Sequence, residues 1–355
     1  MTTSMPSRRV SASAPAKINL VLHVGSPDVT GFHPLLTAFQ AVDVWDTVTL
    51  TESATMNLEC RAGFDASMVP LDDSNISWRA IELLRAHHHL DANVSIEIDK
   101  TIPIAGGMAG GSADAAATIL AATTLWETDV PLHELFDITR ALGSDVPFSM
   151  VGGQAIGRGR GDVLQSIDVE QPLHLVVVMS DGHLSTPKVY AELDRLRAEQ
   201  IKVPDALDED FLDAWRRGDA EALAPLLHND LEPAALSLMP QLANTLDQVT
   251  AAGALTAMVS GSGPSVIGLA RSASTLRRSK LRLKALAFAL FRLSRLHGLL
   301  IFSKVLRGKQ ARQNKHACAA DQGNIGNVSH KEPCVVEEVD DVSGSKARLA
   351  EESIK

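Results

Sequence analysis

Residues 103–116 read PIAGGMAGGSADAA, and seven of the first nine are Pro, Gly or Ala before a helix-forming run begins directly after Ser112. A stretch this poor in side chains is compatible with little except a tight loop that opens onto a helix N-terminus. Unpaired backbone N–H groups and the positive end of the helix dipole meet at such a junction, which is what holding a phosphate requires. The missing side chains also let a nucleotide triphosphate approach the main chain closely. The bland alternative is a Gly-rich turn followed by a helix that packs through an alanine face. No Gly-Lys-Ser/Thr follows, so the segment is not a Walker A loop, and G-x-G-x-x-G is absent, so it is not a dinucleotide fingerprint.

Around this segment the chain mixes strands and helices without a regular βαβ repeat. Residues 17–24 alternate as a strand, with Ile18, Leu20, Leu22 and Val24 on one face and Lys17, Asn19, Val21 and His23 on the other. Strands are further expected over 44–50, 93–98, 173–179, 255–259 and 265–270. Helices are expected over 75–86, 112–126, 132–142, 188–199, 208–217, 219–228 and 240–251, the third of them stopped by Gly143. A length of 355 residues suits two domains, and a 45% apolar, 21% charged composition is that of a folded globular chain. A second domain is expected to start near residue 169.

The net charge of −10 argues against a nucleic-acid partner for the whole molecule. That average is uneven, because residues 271–310 hold eleven Lys and Arg residues and no Asp or Glu. Residues 276–306 read as a cationic amphipathic helix or helix pair, interrupted too often by charge to span a bilayer, though able to meet an acidic membrane surface. Residues 307–355 are polar and read as a disordered tail. Cys60, Cys318 and Cys334 are widely spaced and odd in number, which fits a reducing compartment and supports neither a disulfide framework nor zinc. With no apolar core to a leader in MTTSMPSRR and no integral membrane segment, the expected location is cytoplasmic.

Two charged residues stand out beside the loop. Lys17 lies at the mouth of the first strand, and Asp145 lies in GSDVPF, just past the Gly143 helix stop. A base and a cation near a phosphate cradle are what phosphoryl transfer to a hydroxyl uses. Considered singly, each also reads as a solvated lysine or a turn-capping aspartate. GRGRG at 157–161 reads as a hairpin turn, and the His87 to His89 run as a solvated helix end.

PAKINL at 15–20, GFH at 31–33, the loop at 103–116, GSDVPF at 143–148 and SGSGPS at 260–265 occur in the order found in the GHMP kinases, and the chain resembles that family over about residues 10–270. More narrowly, it is similar to the branch that phosphorylates the 2-hydroxyl of 4-diphosphocytidyl-2-C-methyl-D-erythritol in the non-mevalonate isoprenoid pathway. The resemblance implies an α+β, two-domain GHMP kinase fold. Its N-terminal ribosomal-S5-domain-2-like domain would occupy 10–168 and its C-terminal ferredoxin-like domain 169–306, with the active site between them.

By position, the resemblance makes Asp145 the general base and Lys17 its charge partner, with ATP and Mg²⁺ as cofactors. ATP would be bound by Pro103, Ile104, Ala105, Gly106, Gly107, Met108, Ala109, Gly110, Gly111, Ser112 and Ala113. Ser112 would also serve the metal, because Ala113 stands where many relatives carry Ser. Ala105 and Ala109 replace glycines of many relatives, which is tolerable only if neither needs φ > 0. The cytidine-diphosphate sugar-alcohol substrate would meet an aromatic sandwich of Phe32 and Tyr190, the edge of His33, and more weakly Asn19 and Thr186. Beyond residue 270 the resemblance fades, and GLLIFSKVL at 298–306 is the candidate for a closing edge strand. The competing expectations are another GHMP small-molecule kinase, acting on mevalonate or homoserine, and a noncatalytic nucleotide-binding relative.

Overall fold

The computed structural model describes residues 7–104, 106–179, 182–272 and 274–275, together with the backbone of 288–292 and 336–338. The first half is built on strands β1 (Arg9–Val24), β2 (Leu35–Ser53), β3 (Asn57–Ala62) and β4 (Asn93–Lys100), joined by helix α1 (Ile76–His88). Helices α2 (Gly110–Leu125), α3 (Leu132–Leu142) and α4 (Val146–Val151) follow, then the hairpin β5 (Gln154–Gly159) and β6 (Val163–Ser166). β1 and β2 are antiparallel and long, β4 joins β2, and β3 runs parallel to β4. The β5–β6 hairpin extends the sheet from the other part of β2.

α2 explains how the loop is positioned. Its alanines at 113, 115, 116, 117, 121 and 122 are all buried, so it lies against β1 and β2 at close range. A helix apolar on every side belongs inside a core rather than on a surface. That core includes Ile18 and Leu20 of β1, Val48 and Leu50 of β2, and Ile81 and Leu84 of α1. α2 starts at Gly110, two residues earlier than the expectation of 112, because Ala109 adopts the left-handed conformation that turns the loop into the helix.

The second half places β7 (His174–Val178) in a separate antiparallel sheet with β9 (Thr256–Val259), β10 (Val266–Ala270) and β11 (Phe288–Arg292), in the order β11-β7-β10-β9. The intervening helices are α5 (Thr186–Leu196), α6 (Glu209–Arg217), α7 (Ala220–Leu223), α8 (Glu232–Leu238) and α9 (Leu242–Ala251). Between α7 and α8 the short β8 (His228–Asn229) crosses to the first sheet and pairs parallel with β1. The buried Trp215 of α6 likewise reaches the first half, donating from Nε1 to Gln40 Oε1 at 3.0 Å.

Several expectations need correction. The helix expected over 219–228 is one turn of α-helix and a 3₁₀ turn at Ala224–Leu226, because Pro225 and the β8 pairing end it. α8 was not anticipated, its apolar pattern being only seven residues long. Within 276–306 the described backbone, Phe288–Arg292, is a strand on the edge of β7 rather than a helix. Within 307–355 the described backbone, Val336–Glu338 (β12), pairs antiparallel with β1. The rest of both segments, including 298–306, Cys318 and Cys334, lies outside the described residues. Cys60 is a free thiol, and among the described residues no helix is long and apolar enough to cross a membrane.

Candidate active site

Lys17 belongs to β1, and its backbone N–H donates to Met108 O at 3.1 Å, fastening the glycine loop to the strand. Its ammonium is buried, donates to Asn19 Oδ1 at 2.9 Å and lies 3.6 Å from Asp145 Oδ2. Asp145 occupies the N-cap of α4, yet its carboxylate makes no capping hydrogen bond. Spared that role, it faces Lys17. Two residues far apart in sequence are thus brought into one ion pair by the packing of α4 and β1 against α2.

Asn19 is fixed at both ends. Its Nδ2 donates to Thr37 Oγ1 at 2.7 Å, and Thr37 in turn donates to Val21 O at 2.6 Å. The amide lines the cavity but is spent on orienting Lys17. The turn at 260–263 arrives from the second sheet. A methyl on Gly261 would sit 3.2 Å from Asn19 Oδ1 and 3.8 Å from Lys17 Nζ, and Asn229 Nδ2 holds this turn through Val259 O and Gly261 O. Thr186 Oγ1 and Ser262 Oγ are hydrogen-bonded at 2.9 Å.

The loop contributes backbone more than side chains. Gly107 has φ +70°, and a Cβ there would meet Ser260 O at 2.6 Å, so only glycine lets the loop touch the 260–263 turn. Ala109, at φ +58°, occupies the left-handed region that the sequence reading required it to avoid. The N–H groups of Gly110, Gly111 and Ser112 have no acceptor within the helix. Ala113 differs from its expected role: its N–H already donates to Ala109 O at 2.9 Å and its methyl is buried in the core, as is the side chain of Met108. Ala105 lies outside the described residues.

A cavity of about 420 Å³ opens here, with Lys17, Asp145, Pro103, Ile104 and the loop glycines on its walls and Met68, Val69 and Pro70 as an apolar side. A second, of about 460 Å³, adjoins it and is lined by Phe32, His33, Tyr190 and Asp194. Leu35, Ser144, Arg160, Thr186 and Tyr190 border both. The Tyr190 and His33 rings lie 4.9 Å apart. His33 Nδ1 is 2.7 Å from Gly25 O, to which it donates, and Nε2 is 3.4 Å from Asp194 Oδ2. Phe32 is half exposed, with the Arg160 guanidinium 3.8 Å from its ring centroid. The Tyr190 hydroxyl is pushed well above the usual phenol range, by burial first and then by the Asp145 carboxylate.

The sequence reading missed a buried ionic cluster beneath the loop. Lys100 Nζ bonds Asp46 Oδ2 at 2.6 Å and Asp114 Oδ2 at 2.7 Å, while Asp46 Oδ1 accepts from the N–H groups of Thr101 and Ile102. Asp114 Oδ1 is buried with no partner, and burial pushes this carboxyl up to about 7, Lys100 pulling it down and Asp46 pushing it up again. Lys100 and Asp114 line the first cavity, whereas Ser112 does not. Asp114 was visible inside the quoted motif. Lys100, 14 positions before it, and Asp46, 54 positions before Lys100, carried no local signal.

The arrangement sets a glycine-rich loop at a helix N-terminus, a lysine–aspartate pair beside it and an aromatic chamber next door. The model of the GHMP kinases N terminal domain matches residues 75–153, and that of the GHMP kinases C terminal matches 211–286. A curated relative from Streptomyces avermitilis is 50% identical over 265 residues, covering 74% of this chain and 89% of its own length. The chain belongs to the GHMP kinase family. That relative is named 4-diphosphocytidyl-2-C-methyl-D-erythritol kinase, as is one from Mycolicibacterium gilvum at 48% identity, covering 76% of this chain and 84% of its own. A crystal structure of 4-(cytidine 5'-diphospho)-2C-methyl-D-erythritol kinase matches with TM-score 0.67 and 31% identity, over 80% of this chain and 99% of that one. The crystal structure of L. major mevalonate kinase, at TM-score 0.65 and 17% identity over 80% of this chain and 96% of that one, shares the fold.

Proposed function

We propose that this GHMP kinase transfers the γ-phosphoryl group of ATP to the 2-hydroxyl of 4-diphosphocytidyl-2-C-methyl-D-erythritol. The observation that carries the reading is the Lys17–Asp145 pair, 3.6 Å apart, on the wall of the glycine-loop cavity where it adjoins the aromatic one. The triphosphate lies against the N–H groups of Gly110, Gly111 and Ser112, and the base of the acceptor stacks in the chamber of Phe32 and Tyr190. The acceptor hydroxyl is presented to Asp145, which orients it and takes its proton as the bond to phosphorus forms. Lys17 supplies positive charge where the transferring group needs it. A loose phosphoryl-transfer transition state asks mainly for this alignment and charge stabilisation.

Mg²⁺, which wants hard oxygen ligands and usually arrives with the phosphates, would be held by Asp114, a cavity-lining residue with one unpartnered carboxylate oxygen, rather than by Ser112. When bound it neutralises charge on the β- and γ-phosphoryl oxygens. The names of the relatives support the cytidyl acceptor, and the likeness to mevalonate and homoserine kinases, at 17% and 18% identity, supports only the shared fold.

The test is ATP consumption by the full chain with the cytidyl acceptor, mevalonate and homoserine in parallel. Turnover with the cytidyl acceptor alone is expected. Turnover with mevalonate or homoserine in its place would overturn the substrate, and ATP binding with no transfer to any of the three would overturn the enzyme.

A further inference from the structure

The GRGRG stretch forms the tip of the β5–β6 hairpin, as its glycines suggest, but the turn leaves one side chain with work the reaction has not claimed. Arg160 borders both cavities, and its guanidinium packs against the Phe32 ring. The other cations on these walls are already committed, Lys17 to Asp145 and Lys100 to Asp46 and Asp114. Among the described residues Arg160 has no acidic partner, and it is the sole Lys or Arg lining the aromatic chamber, where Asp194 also sits.

The tip is held in place. Arg160 N–H donates to Asp162 Oδ1 at 3.0 Å, and Gly161 N–H to Arg158 O at 3.0 Å. Gly159 and Gly161 take φ +68° and +90°, and a Cβ on Gly161 would come within 3.3 Å of the Phe39 ring. The guanidinium is therefore carried by a short braced turn at the boundary of the two chambers.

We propose that Arg160 grips the diphosphate of the acceptor, an inference that rests on the function proposed above. An acceptor with its base beside Tyr190 and its hydroxyl at Asp145 must cross the boundary that Arg160 borders, and the part that crosses is the anionic diphosphate. Asp145 and Asp194 would repel that linker if nothing offset them. A guanidinium packed by its face keeps its N–H groups in its own plane, where they can bond two phosphate oxygens together. The same side chain thus walls the base-stacking chamber and selects a diphosphate-linked acceptor over a bare nucleoside.

Calorimetric binding of CDP and of cytidine to wild type, Arg160→Ala and Arg160→Lys tests this, together with acceptor and ATP kinetics. Losing charge-assisted hydrogen bonds should weaken CDP on the order of 10- to 100-fold in Arg160→Ala. Cytidine should change less than about 3-fold, Arg160→Lys should fall between, and the acceptor KM should rise with the ATP KM and Tm unchanged. Equal losses for CDP and cytidine would reduce Arg160 to a prop for Phe32 and overturn the inference, as would a raised ATP KM with CDP binding intact. An intact CDP preference that Arg160→Ala abolishes, in a chain that does not phosphorylate the cytidyl acceptor, would support the grip and overturn the proposed function alone.

Discussion

Lys17 Nζ stands 2.9 Å from Asn19 Oδ1 and 3.6 Å from Asp145 Oδ2, so a strand-borne ammonium is aimed by its neighbour two residues along at a carboxylate on a helix cap. Asp145→Asn keeps the shape and removes the proposed proton acceptor. It should lower kcat by roughly 10²- to 10⁴-fold while leaving Tm and the ATP KM near wild type. An unchanged kcat would remove Asp145 from the chemistry.

The loop predicts opposite outcomes for two small substitutions. Gly107→Ala sets a methyl 2.6 Å from Ser260 O at φ +70° and should destabilise the fold and separate the loop from the 260–263 turn. Ala109→Gly removes a side chain from the left-handed region, where φ is +58°, and should stabilise the chain by about 1 kcal/mol. Denaturant unfolding of both variants checks the pair, and a stabilising Gly107→Ala would contradict the packing.

In the proposed function Tyr190, which lines both cavities, stacks on the acceptor base. Removing a base–aromatic stack costs about 1–3 kcal/mol, so Tyr190→Ala should raise the acceptor KM roughly 5- to 150-fold, and Tyr190→Phe should restore most of it. The ATP KM is the internal control. Parallel rises in both constants would point to general collapse of the wall between the two cavities.

How much of this could be read from the letters depends on how local each feature is. The loop, β1 and the Gly143 stop follow from neighbours within a turn or a strand, and they stand close to where the sequence puts them, apart from the two-residue advance of α2 and a β1 that starts at Arg9, eight residues before the expected 17. The Asp46–Lys100–Asp114 cluster could not be read that way, because charged residues in strands ordinarily face water and only the burial of α2 forces them together. Arg160 lay inside a motif read as a turn, and a turn pattern says nothing about what its tip faces. Asn19, expected weakly at substrate, does line the cavity, but its pairing with Thr37, an equally ordinary strand residue, carried no local signal.

The junction between the halves should be pH-sensitive at His228. Asp230 accepts from the Val24 N–H at 2.7 Å, pairs with Arg197 at 2.9 Å and bonds His228 Nε2 at 2.6 Å, so one carboxylate ties β8 and the stretch after α5 to the end of β1. The hydrogen bond to Asp230 raises the His228 pKa against burial, with Glu232 adding to it and Arg197 opposing. A histidine bound more tightly to its proton in the folded state contributes stability that is complete below the unfolded value of about 6.5 and fades as pH rises through the folded one. His23, its ring 4.7 Å away, is shifted down by burial first and by His228 second, so its own protonation on acidification works the other way. His228→Asn should therefore lower Tm by up to about 3 °C near pH 6, a small effect because the imidazole is half exposed, and by less near pH 8.5. The comparison is best made in a His23→Gln background, where the opposing titration is absent. A deficit that grows with pH would mean that neutral His228, not the imidazolium, holds this corner together.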